Sequence, residues 1–203
     1  MIQRLLTGLF CCLVLPAPAD ARPLSTTKYT YYAISGNTAG EIYSAMLRRG
    51  PHVNGAKAYA ATSATSWQNG KLIQAKSCVI ENYRLKIDFV IRLPQIKNER
   101  ALTGTDRSRW RQFAQFLKRH EETHRSIWLG CAQELENQVQ AIQAADCSTA
   151  ETRATKLWDK MRKSCTRKHD AFDAAEQKRL MQHPFVKLIL AKKTRTGRAA
   201  KAP

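Results

Sequence analysis

His120, Glu121 and His124 stand in the stretch RHEETHR, residues 119–125, with the spacing H-E-x-x-H. Side chains four apart lie on one face of a helix, so the two imidazoles can converge on a single ion. Zinc is the metal this spacing serves. It lowers the pKa of a water and polarises a carbonyl, and Glu121, beside the first ligand, is placed to act as general base. Three fixed residues are a weak signature. The competing reading is two histidines in a solvated, charged helix face, and the surrounding pattern has to decide between them.

From Thr105 onward the apolar residues step by three or four. Trp110, Phe113 and Leu117 lead into His120, His124, Ile127, Cys131, Leu135, Val139 and Ile142. This period predicts one long helix with both histidines on its inward stripe, capped at Thr105 or Asp106. Imidazoles on a buried face need partners, because an unpaired buried polar group costs free energy. Ala144 to Cys147 interrupts the pattern, and Ser148 with Glu151 reads as the capping box of a second helix. That helix carries Leu157, Met161, Cys165, His169, Phe172 and Leu180 as far as His183-Pro184, and a short element over residues 185–191 follows.

A catalytic zinc usually takes three protein ligands and keeps a fourth position for water. The two helices form an antiparallel hairpin, in which facing residues keep a constant sum of residue numbers. A turn centred near Cys147 brings Cys131 opposite Cys165 within about two residues, the uncertainty of helix ends. In that register His120 faces Glu176 and His124 faces Phe172. His169, Asp173 and Glu176 lie there on one face of the second helix. Asp173 falls opposite the middle of the histidine pair and is the first choice for the third ligand. His169 and Glu176 are the alternatives, and a residue that does not bind the ion can orient one that does.

The positioning elements upstream are of another kind. Thr27–Ile34 is aromatic and β-branched, a strand ended by Ser35-Gly36-Asn37. Thr38 caps a helix to Arg49 with Glu41 three residues on, and Gly50-Pro51 stops it. Lys57–Trp67 and Lys71–Glu81 read as strands around a turn at Gln68-Asn69-Gly70. Tyr83–Leu93 alternates Leu85, Ile87, Phe89 and Ile91 with mostly polar residues, as in an antiparallel sheet with one wet face, and Pro94 ends it. The fold class is α+β: a small, mostly antiparallel sheet with one short helix, then a long two-helix hairpin.

The chain has 203 residues and a hydrophobic fraction of 43%, enough for one folded domain. Residues 1–21 read as a secretory leader, with Arg4 ahead of the apolar run Leu5–Leu15 and Ala19-Asp20-Ala21 at the cleavage position. The mature chain then starts near Arg22 and is exported, to the periplasm or beyond. No other run approaches a membrane span. Cys11 and Cys12 leave with the leader, and Cys78, Cys131, Cys147 and Cys165 remain for two disulfides in an oxidising compartment. Once Cys131 faces Cys165, Cys78 is left for Cys147. The formal net charge of +18 favours an anionic envelope surface as a partner, with residues 191–203 as a basic tail. No nucleic-acid recognition motif accompanies that charge.

Several stretches in order resemble a bacterial family described as secreted zinc-dependent proteases by prediction, otherwise a domain of unknown function. They are YYAISGNTAGEIYSAM (Tyr31–Met46) with RRGP (Arg48–Pro51), ATSATSW (Ala61–Trp67), Leu93-Pro94, WRQFAQFLKRHEETH (Trp110–His124) and Phe172-Asp173. The resemblance implies a metallopeptidase-like site at His120, Glu121 and His124. Where the family pattern has His-Gly five residues after its aromatic-Asp pair, this chain has Lys178-Arg179. That departure turns the third ligand toward Asp173 or its neighbours. The expectation is an exported zinc-dependent hydrolase of peptides or proteins. A non-catalytic envelope-binding module with a structural or lost metal site is the alternative.

Overall fold

The computed structural model describes residues 23–53 and 55–190. The leader expected over residues 1–21 and the basic tail expected over 191–203 lie outside them. The fold is α+β. In chain order it comprises β1 (Leu24–Ile34), α1 (Ala39–Arg49), β2 (His52–Val53), β3 (Ala56–Lys57), β4 (Ala61–Gln74), β5 (Cys78–Ile96), α2 (Gly104–Gln140), β6 (Gln143–Ala144) and α3 (Cys147–Gln182). Residues 184–190 add a short helical segment. Among the described residues no helix is long and apolar enough to cross a membrane.

β5 organises the sheet. β4 pairs with it antiparallel and β6 joins it antiparallel at Cys78–Ala144. β1 runs parallel to it, from Leu24 beside Lys86 to Ile34 beside Ile96. One long pairing is therefore parallel in a sheet expected to be mostly antiparallel. Leu85, Ile87, Phe89, Ile91 and Leu93 of β5 are buried, and their alternation with Lys86, Asp88, Val90 and Arg92 gives the sheet one dry face.

The helices cover that face. Trp110, Phe113 and Leu117 of α2 join Ile42 and Met46 of α1, Ile91 and Leu93 of β5, and Phe185 in one cluster. Leu135 and Val139, farther along α2, join Leu85, Ile87 and Phe89 with Ala150 of α3 in a second. Each large side chain buried this way contributes about 1.5–3 kcal/mol. Residues 118–127 of α2 span the gap between the two clusters, and the histidines lie in that gap.

Several sequence expectations are corrected by the fold. Gln68-Asn69-Gly70 is not a turn. β4 continues through it, and the register shift between Asn69 and Lys71 marks a bulge, with Asn82 of β5 at φ 53° in the left-handed region. A Cβ on Gly70 would approach Ile80 and Tyr83 to about 3.0 and 3.1 Å, so glycine lets the strands stay close there. The two strands expected from Lys57 and Lys71 become the single β4 and the start of β5. Pro94 does not end β5, because β4 pairing stops at Arg92 and a proline is tolerated where a strand has only one neighbour. Thr103, not Thr105 or Asp106, caps α2, its hydroxyl accepting from Asp106 N. Asp146, not Ser148, caps α3 by accepting from Thr149 N. Thr38 does cap α1, but Glu41 reaches back to Asn37 N instead of to the cap residue.

Candidate metal centre

The histidines are held by the way α2 is tied to the sheet. Trp110, Phe113, Leu117 and then Glu121 form the stripe directed at the sheet, and Glu121 is only 5% exposed. His120 and His124 are half-buried and face α3 instead, a correction to the expectation that they continue the apolar stripe. Glu121 is fastened to β4, where the Thr62 hydroxyl lies 2.8 Å from its Oε2 and 3.0 Å from its backbone carbonyl. On the β1 side, Tyr29 donates to Glu122 and Arg125 donates to Thr27. These bonds fix the rotation of α2 and so aim both imidazoles at α3.

α3 returns antiparallel, and the two helices are bridged by the Cys131–Cys165 disulfide. A second disulfide, Cys78–Cys147, joins the start of β5 to the start of α3. With the hairpin held there, Asp173 comes opposite the histidine pair. His120 Nε2 lies 3.2 Å from Asp173 Oδ1, His124 Nε2 lies 3.0 Å from the same oxygen, and the two Nε2 atoms are 3.0 Å apart. His120, His124 and Asp173 thus form a group that could hold a metal ion. A tetrahedral zinc with bonds of about 2.1 Å sets its donor atoms about 3.4 Å apart, so the triangle matches that spacing within a few tenths of an ångström. Two imidazole nitrogens and one carboxylate oxygen are also a donor set zinc accepts.

The other two candidates stand outside the triangle. His169 Nδ1 lies 2.8 Å from His124 Nδ1, on the ring nitrogen turned away from Asp173. With its proton on Nδ1 and donated to His169, His124 keeps the Nε2 lone pair free for an ion. His169 then carries its own proton on Nε2, which lies 3.7 Å from Cys165 Sγ. Glu176 pairs with Arg179 at 2.8 Å instead of joining the cluster.

Burial pushes the pKa of His120, His124 and His169 below the usual imidazole range, against the opposing pull of Asp173. That shift favours the neutral ring, the form that binds metal. Burial also raises the Glu121 carboxyl to about 7, with the Thr62 hydrogen bond opposing the shift.

A scan against protein-family models matches residues 29–182 to a bacterial protein family of unknown function, DUF922. The chain belongs to DUF922. No curated protein matches it, and no solved structure does. The match begins at Tyr29 within β1 and runs to the end of α3, so His120, Glu121, His124, His169 and Asp173 fall inside it, while Thr27 lies just before it.

Two residues of this DUF922 centre carry roles that no spacing in the sequence announces. Phe172 packs its ring 4.8 Å from the His120 ring and 5.1 Å from the His124 ring, a wedge that limits both imidazoles. Thr62 reaches Glu121 across 59 residues of chain. Thr62 lies in the ATSATSW stretch, but a strand threonine has no period that points to a helix glutamate.

Proposed function

We propose that the chain is a zinc-dependent hydrolase acting on peptide bonds. The observation that carries the proposal is the convergence of His120 Nε2, His124 Nε2 and Asp173 Oδ1 beside a buried carboxylate, Glu121. The same donor set also serves non-haem iron. Glu121 next to His120 favours hydrolysis, because oxygen chemistry has no need of a base at that place, whereas activation of water does.

His120, His124 and Asp173 would hold the ion and leave a position open to solvent or substrate. When bound, zinc supplies Lewis acidity, which makes a water nucleophilic near neutral pH and polarises a carbonyl. Thr62 engages Oε2 of Glu121 at 2.8 Å, which leaves Oε1 as the carboxylate oxygen not used by that bond. Oε1 is therefore the atom that takes a proton from the attacking water and returns it to the departing amine. A carboxyl titrating near neutrality does both with little cost in driving force. Phe172 and His169 keep the imidazoles in place while this occurs.

Substitution of the base separates chemistry from metal binding. The Glu121→Gln chain retains zinc and loses cleavage of an unfolded protein substrate by about 100-fold or more. Undiminished proteolysis by the Glu121→Gln chain refutes the hydrolase reading and leaves a metal site without catalysis.

A further inference from the structure

A cavity of about 190 Å3 opens beside the centre, between α2, α3 and the segment leading into β4. His120, Glu121 and Asp173 contribute to its lining, so whatever enters it lies against the reacting groups. Its other walls are mostly apolar, with Ala60, Phe116, Leu117 and Leu180 prominent among them, and Glu176 and Gln177 of α3 add a polar edge. Binding sites for whole small molecules usually have about 300–1,000 Å3, whereas a cavity of about 150 Å3 accommodates a benzene ring. The space is that of one side chain.

We infer that this cavity is the specificity pocket of the site and takes one apolar side chain, of leucine to phenylalanine size, from the residue flanking the bond to be cut. The inference rests on the hydrolase reading for its substrate class. β4 supports that class independently: it is an edge strand of the sheet and begins at Ala61, directly after the pocket wall at Ala60. An extended peptide can lie along such an edge with its alternate side chains in pockets. Leu117 and Ala60 are buried and set the floor, while Leu180 on α3 is half-buried and sets the width.

The test has a binding arm and a cleavage arm. In the binding arm the Glu121→Gln chain, whose turnover is slowed by about 100-fold or more, is titrated with two otherwise identical short peptides carrying leucine or glycine at the pocket position. The leucine peptide binds about tenfold tighter, the scale on which an apolar pocket discriminates by a few methylenes. That preference falls severalfold when Ala60→Leu fills the pocket or Leu180→Ala removes a wall. The second change lies at a half-buried position and keeps the test open if the first disturbs folding. Equal binding of both peptides, or a preference that neither substitution moves, overturns the pocket. In the cleavage arm the zinc-loaded wild-type chain is incubated with a library of proteome-derived peptides, and one position flanking the cut is enriched in Leu, Ile, Met and Phe. Cleavage without such enrichment also overturns the pocket. Absence of cleavage overturns the hydrolase reading alone, and the binding arm then still judges the pocket.

Discussion

Nδ1 of His124 lies 2.8 Å from Nδ1 of His169, while Nε2 of the same ring lies 3.0 Å from Asp173. One imidazole is thereby held from both sides, and with His169 Nδ1 accepting the His124 Nδ1 proton, the nitrogen facing Asp173 is free to coordinate. Partners of this kind typically change metal affinity by about 10–100-fold. The expected outcome of His169→Ala is a zinc Kd weaker by that factor, measured by competition with a chromophoric chelator. His169→Gln, whose amide oxygen can accept the Nδ1 proton, recovers part of it. Equal affinity in wild type and His169→Ala would show that His169 only fills space.

Glu121 makes a pH-dependent contribution to the stability of the metal-free chain. Its folded carboxyl is raised to about 7 from an ordinary value of 4.5, chiefly by burial. A raised carboxyl pKa means the fold favours the protonated form. That stabilisation is complete below the unfolded pKa and is lost as pH climbs through the folded one. Glu121→Gln stays neutral throughout. In urea unfolding with chelator present, its stability relative to wild type should be near zero at pH 4 and rise to about 3 kcal/mol at pH 8. Groups common to both chains cancel in that difference, so a difference that is flat with pH would contradict the assignment.

The two disulfides close loops of 34 and 69 residues, and loops of these lengths correspond to about 4 kcal/mol of stabilisation each. Only Cys131–Cys165 lies beside the centre, with Cys165 one turn before His169 on α3. Replacing Cys131 and Cys165 together by alanine should lower stability by about that amount and also weaken zinc. Replacing Cys78 and Cys147 together should lower stability by a similar amount with zinc affinity unchanged. Denaturant midpoints and chelator titrations on the two double variants separate these outcomes, and equal loss of zinc from both would place the disulfide effect in global stability alone.

The site was legible in the sequence wherever a helix carried it. The four-residue step puts His120 and His124 on one face. The constant sum of an antiparallel hairpin brings Asp173 opposite them. The rotation of α2 was not legible. Glu121, a charged residue, takes the buried position after Leu117, while the histidines turn toward α3. That choice is made by Thr62, Thr27 and Tyr29 on two strands, through contacts 59 to 98 residues apart that no local pattern encodes. Strand boundaries failed for a related reason. Asn69-Gly70 has turn chemistry, yet pairing with β5 on both sides of it converts the turn into a bulge. Pro94 likewise stays in a strand because β1 continues beside it after β4 has left. Glu136 is the clearest silent residue: it is 1% exposed and accepts from Leu85 N, beside the bulge, though its place in the sequence resembles any helix-surface glutamate.

Metal content of the purified, oxidised chain tests the central claim most directly. Elemental analysis after dialysis against buffer without chelator should find about one zinc per wild-type chain. It should find far less in His120→Ala and in Asp173→Ala, with their folded spectra retained. Zinc at the wild-type level in both variants, or iron in place of zinc in the wild type, would contradict the account.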